Sequence, residues 1–166
     1  MTLTIKTILV PTDFSENSQG ALEYADALAR QFGATLHLMH VCQVPTLATA
    51  TVDGAFISLP NWEGELRTAA AAEMTKITKS IAGMATTTEI VFGNAAACIV
   101  AAAVEHDVDL IVMGTHGRGP IMHVVLGNVA ERVVRMAPCP VLTVRQPKLA
   151  ATRPALQTVP LATANA

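Results

Sequence analysis

Met113-Gly114-Thr115-His116-Gly117-Arg118-Gly119 leaves the buried-strand run Asp109–Met113, and Leu126-Gly127-Asn128-Val129-Ala130-Glu131 follows a short apolar run later. Glycine backbone admits close approach of a ligand. A helix starting near Asn128 would add unpaired N–H groups and the positive end of its dipole, which favour an anion. Asn128 with Glu131 three residues on also has the spacing of a capping box. Spacing alone therefore fits two readings equally: a nucleotide phosphate cradle, or a strand-to-helix loop whose glycines serve only its turns.

Other reactive residues carry less. His37, His40 and Cys42 invite a metal reading, but strand residues alternate faces, so only His40 and Cys42 would share a side. Two ligands are too few for zinc, and no metal site from protein side chains is expected. His116 and His123 flank the glycine turn, where His116 meets phosphate or ribose, or simply faces solvent. Ser15 and Ser18 near Asp13 read as helix caps, and no nucleophile–base pair stands out, so no catalytic residue is assigned. Neither Gly-x4-Gly-Lys-[Ser/Thr] nor Gly-x-Gly-x-x-Gly occurs, so the lysine and hydroxyl of a fast phosphohydrolase are missing.

The elements that must position these residues alternate. Thr7–Val10 is an apolar, β-branched run without alternation, the mark of a strand covered on both faces, and Thr35–Val41, Thr86–Phe92, Asp109–Met113 and Val141–Val144 read as four further strands. Between them lie a helix closed by Gly33, a second from Trp62 with the stripe Leu66, Ala70, Met74, Ile77, Ile81 and Met84, an alanine-rich helix from Asn94 to near His106, and one from Val129 to about Met136. Residues 43–61 show no clear period: a functional or mobile loop, or a missed short helix. Strands alternating with helices imply right-handed crossovers and an α/β fold, a mainly parallel sheet with helices on both faces. In such sheets ligands sit beyond the carboxyl ends of the strands, at the point where strand order reverses. Asp13 and Gly114 end two such strands, and their loops line one crevice if those strands are neighbours.

The chain has 166 residues, enough for one domain with a real core, and 51% hydrophobic against 14% charged residues exclude a disordered chain. Net charge is −2, with no basic stripe, so nucleic acid is disfavoured as a partner. No apolar run is long enough to span a bilayer, the first residues lack the parts of a signal peptide, and three cysteines without C-x-x-C spacing argue against a disulfide framework. The expected location is the cytoplasm. One domain over residues 1–146 is expected, followed by a mobile tail, 147–166, rich in Pro, Ala and Thr.

Assembled, these residues resemble a universal stress protein from Lys6 to Arg145. The marks are Ile8-Leu9-Val10-Pro11-Thr12-Asp13, Asp109-Leu110-Ile111-Val112-Met113-Gly114 and Ala137-Pro138-Cys139-Pro140-Val141-Leu142. The ATP-binding branch of that family has Gly-x-x-Gly, nine residues, then Gly followed by Ser or Thr. Gly114, Gly117 and Gly127 match at that spacing, whereas Asn128 departs from the hydroxyl residue. The resemblance implies a single-domain, open five-stranded parallel sheet in strand order 3-2-1-4-5, Rossmann-like and akin to adenine nucleotide alpha hydrolases. It implies that Asp13 contacts the adenosine end, with Pro11 and Thr12 shaping the turn. Val41 would meet adenine, Met113 and Gly114 would border the ribose, and Gly117, Arg118, Gly127, Asn128 and Val129 would surround the phosphates. The implied cofactor is ATP, or ADP or AMP, with or without Mg2+. The implied assembly is a homodimer through Val141–Val144 that acts as a stress-response binding module toward an unknown protein partner. A nucleotide-free dimeric scaffold, a slow Mg2+-dependent ATP hydrolase and a binder of another phosphorylated metabolite are the alternatives.

Overall fold

The computed structural model describes residues 4–43, 51–52, 55–56, 61–115 and 126–145. Its elements in chain order are β1 (Thr7–Pro11), α1 (Glu16–Phe32), β2 (Thr35–Cys42), β3 (Thr51–Val52), β4 (Ala55–Phe56), α2 (Trp62–Ser80), β5 (Thr86–Phe92), α3 (Ala95–Glu105), β6 (Leu110–Gly114), α4 (Asn128–Met136) and β7 (Val141–Val144). The β-branched apolar runs form one five-stranded sheet, ordered β5-β2-β1-β6-β7, and every ladder in it is parallel. Counting only these strands along the chain gives the expected order 3-2-1-4-5. Strand order reverses between β1 and β6, which pair Ile8 with Leu110 and Leu9 with Ile111.

Both faces of the sheet are covered, as unalternated strands require. Ile8, Val10, Leu36, Leu38 and Val112 meet Ala21, Ala25 and Ala29 of α1 and Met74 of α2. Leu9, Met39, Ile111 and Met113 meet Ala96, Ile99 and Ala103 of α3 and Ala130 and Val133 of α4 on the other face. The alanines explain how a chain so poor in aromatic residues fills its core: small side chains bring helix and sheet close together. Helix ends follow the sequence signals. Ser15 accepts from the Ser18 N–H, Asn94 accepts from the Ala97 N–H, and Gly33 closes α1 at φ 68°.

Three sequence expectations need correction. The α2 stripe does not run helically to Met84, because α2 ends at Ser80 and the turn after it carries Gly83 at φ 92°. Within residues 43–61, Thr51 and Val52 pair antiparallel with Phe56 and Ala55, so the described part is a short strand pair rather than helix. The cap of α4 is Gly127, one residue earlier than Asn128, and no side chain caps that helix. The capping box of Asn128 and Glu131 does not form. The proposed tail, residues 147–166, lies outside the described residues.

Asp109 holds the start of the central strand. Its Oδ2 accepts from the Lys6 N–H at 2.7 Å and the Thr7 N–H at 3.0 Å. These two bonds keep its carboxyl below the usual 3.8. A depressed carboxyl contributes stability above its unfolded pKa, and that contribution is lost as pH falls through the lower folded value. Asp109→Ala is therefore expected to cost about 1–2 kcal/mol at pH 7, the bonds being charge-assisted but solvent-facing. The cost should shrink below pH 3.8, as read by urea denaturation at both pH values.

Candidate functional site

At the carboxyl ends of β1, β2 and β6 the chain leaves a crevice of about 860 Å3. It opens where strand order reverses, the position at which open α/β sheets take ligands. One wall is the turn after β1, and its conformation is over-determined. The Thr12 N–H donates to the Met39 carbonyl at 2.8 Å, crossing to β2. The Thr12 hydroxyl accepts from the Phe14 N–H at 3.1 Å and lies 3.2 Å from the Ser18 hydroxyl. Phe14 takes φ 62°, a left-handed conformation that costs a non-glycine residue of order 1 kcal/mol. His40 stacks on its ring at 4.3 Å and donates from Nδ1 to the Thr12 carbonyl at 2.8 Å. That carbonyl can only accept, so Nδ1 carries a proton.

Asp13 sits in this turn. Burial pushes its carboxyl up, but hydrogen bonds from the Ser15 hydroxyl at 2.6 Å and the Ser15 N–H at 3.1 Å outweigh that and hold it below 3.8. Asp13 is an anion at neutral pH, suited to accept from hydroxyls or an exocyclic amine and repelling a phosphate at close range.

The opposite wall is the N-terminus of α4. Gly127 donates to the Thr115 carbonyl at 2.7 Å, and Thr115 in turn donates from its N–H to the Val144 carbonyl at 3.0 Å. This fixes the helix start against β6 and β7. Among the described residues no side chain caps α4, and Gly127, Asn128, Val129 and Ala130 at its start line the crevice. Helix N-terminal donors left without a protein partner must be satisfied by water or a ligand.

An apolar side connects the two walls: Val41, Met113, Ile99 and Leu126, with Leu66 and Ala69 of α2. Leu66 leads the expected α2 stripe, yet it is 36% exposed and turned to the crevice. Gly114 is constrained from behind. A Cβ there would lie 2.9 Å from the Asn17 carbonyl oxygen in α1.

The crevice brings together Pro11, Thr12, Asp13, Val41, Met113, Gly114, Gly127, Asn128 and Val129 of the expected set. His116, Gly117 and Arg118 lie outside the described residues. Sequence reasoning missed His40, Phe14 and Glu73 as lining residues. His40 had a signal, since it falls at the carboxyl end of a strand neighbouring the first. Glu73 had none, because α2 is far away in sequence. The described lining residues carry the carboxylates of Asp13, Glu73 and Glu131 and no lysine or arginine.

The model of the Universal stress protein family matches residues 4–145. The chain is 36% identical over 148 residues to universal stress protein MJ0531 of Methanocaldococcus jannaschii, covering 86% of this chain and 84% of that one. It is 30% identical over 159 residues to universal stress protein MJ0577 of the same organism. The solved structure of MJ0577 superposes with a TM-score of 0.73, covering 87% of this chain and 99% of that one. At 24% identity and a TM-score of 0.62, with 86% and 98% covered, the fold is also that of a universal stress protein solved in complex with cAMP.

Proposed function

The chain belongs to the universal stress protein family, and from that premise we propose that its crevice binds ATP or a related adenine nucleotide. The observation that carries this reading is the uncapped N-terminus of α4 beside a crevice whose far wall is the Asp13 turn. A nucleotide has the complementary layout, an apolar base, hydroxyls in the middle and a polyanion at one end. The base lies against Val41, Leu66 and Met113, the ribose hydroxyls reach Asp13, and the phosphates meet Gly127, Asn128 and Val129. Occupation of the same fold by cAMP in a solved relative supports the reading at the level of fold.

Asn128 bears on the phosphates differently from what its type suggests. Its structural use as a cap is removed, because Gly127 holds that position. Its amide is left to donate to a phosphate oxygen in place of the family's hydroxyl. With Asp13, Glu73 and Glu131 around the crevice, a triphosphate needs positive charge from elsewhere. The helix N-terminus supplies part, and Arg118 and a nucleotide-borne Mg2+ supply the rest. Among the described residues no side chain is assigned as a nucleophile or base, and turnover is proposed to be slow at most. Binding between the turn after β1 and the start of α4 biases contact with a protein partner in the cytoplasm. The protein acts as a homodimer through β7, an edge strand in the sheet, whose pairing across a two-fold axis would cover that edge.

Calorimetric titration with ATP, ADP and AMP, with and without Mg2+, tests the reading. Saturable binding of at least one nucleotide at micromolar concentration is expected, tightest for ATP with Mg2+. No heat at millimolar nucleotide would favour the nucleotide-free scaffold instead.

A further inference from the structure

We propose that His37, Glu89 and His106 form a zinc-binding site, separate from the crevice and independent of nucleotide. β2 and β5 pair in register with His37 opposite Thr87 and Met39 opposite Glu89, so His37 and Glu89 emerge on the same face, two positions apart. α3 leaves β5 and runs back over that face, and its C-cap is His106. The His37 and His106 rings meet there with centroids 4.3 Å apart. Three elements thus deliver two imidazoles and a carboxylate to one point, and none of the three residues lines the crevice.

The three donor groups lie close enough together to converge on one ion. His37 Nε2 lies 3.0 Å and His106 Nε2 3.3 Å from the same oxygen, Glu89 Oε2. One ligand atom from each residue falls within 4.8 Å of the others. Zinc bonds of about 2.0–2.1 Å in a tetrahedron set donor–donor edges of roughly 3.3 Å, so an ion fits with small side-chain shifts. Two imidazoles and one carboxylate are a borderline N/O set that suits zinc and leaves the fourth position to water.

The surroundings admit an ion as well. His37 Nδ1 lies 2.7 Å from the Thr87 hydroxyl. That hydroxyl either accepts from Nδ1–H, which leaves the Nε2 lone pair for a metal, or donates to Nδ1, which leaves Nε2–H to Glu89. An outer hydrogen bond of the first kind orients a metal-bound histidine. The His37 side chain is 8% exposed, whereas Glu89 and His106 are 29% and 35% exposed, which gives an ion an entrance. Bound, it would tie β2, β5 and the end of α3 together.

Full-length protein stripped with EDTA and titrated with Co2+ gives the test, with Zn2+ added afterwards as competitor. One equivalent of Co2+ should bind with visible bands of four-coordinate nitrogen and oxygen ligation, without a thiolate charge-transfer band. Zn2+ should displace it and raise the thermal midpoint. Glu89→Gln and His106→Ala should each weaken binding at least tenfold with the circular dichroism spectrum kept, and His116→Ala with His123→Ala should not. In the unmutated protein the imidazole resonances of His37 and His106 should shift on adding Zn2+, a readout that needs no variant to fold. Unmoved resonances at millimolar Zn2+, or binding lost with His116 and His123 rather than Glu89, would overturn the site. Its histidines would then be held to Glu89 by protons alone.

Discussion

Gly127→Val is expected to weaken ATP binding at least a hundredfold while the protein stays folded. Gly127 has φ −68° and ψ 156°, a region open to every residue, so valine strains nothing in the backbone. Glycine has no capping side chain to lose, and the change at the helix start should cost no more than about 1 kcal/mol of stability. Its branched side chain would project at the one place where the proposed phosphates approach the first turn of α4. A hundredfold loss corresponds to about 2.7 kcal/mol, the scale of a few charge-assisted hydrogen bonds. AMP and adenosine should lose less, because they place less of the ligand there. Calorimetry with the three ligands checks this against the thermal midpoint of the variant. Equal ATP affinity in variant and parent would remove phosphate from this end of the crevice.

Gly114→Ala is expected to fail in another way. Alanine's Cβ would lie 2.9 Å from the Asn17 carbonyl oxygen and 3.0 Å from its carbonyl carbon. Both are backbone atoms in the first turns of α1, and they cannot swing aside as a side chain would. The helix must shift away from β6, where Met113 and Val112 are already buried. Overpacking of this kind costs about 1–3 kcal/mol, read as a lower urea midpoint at unchanged slope. Nucleotide affinity should fall too, because the Asp13 turn leads directly into α1. Unchanged stability would mean that α1 is not seated on β6 as described. Two glycines of one motif would thus serve different ends: Gly114 allows close packing of α1, and Gly127 is proposed to leave room for a ligand.

The central strands were legible because they are buried on both sides. Runs such as Ile8-Leu9-Val10 and Leu110-Ile111-Val112 announce strands by β-branching alone, and the alternation of elements implies parallel crossovers. The strand order came from resemblance and is met by the observed ladders. Glycine and serine signals placed the ends of α1, whose preferences are local. The start of α4 was misread by one residue, because a favoured capping residue lost to a tertiary tie: Gly127 is held by the Thr115 carbonyl, and that bond depends on β6 and β7. The crevice residues on strand ends were readable from the same motif. The α2 wall with Leu66 and Glu73 was not, since a helical stripe does not say which of its members face a cavity. The cluster at His37 was invisible for a related reason. His37 was weighed only against His40 and Cys42, whereas its partners stand 52 and 69 residues away along the chain (89 − 37 and 106 − 37), joined by the β2–β5 register and the path of α3.

The most direct measurement is a titration of 15N-labelled protein with Mg2+–ATP, followed amide by amide. Binding in the crevice should move the amides of Gly127, Asn128, Val129 and Ala130 at the phosphate end, and those of Asp13, Phe14 and Val41 at the other, with one common saturation curve. Saturation with these amides unmoved, or shifts gathered on another face of the sheet, would contradict it.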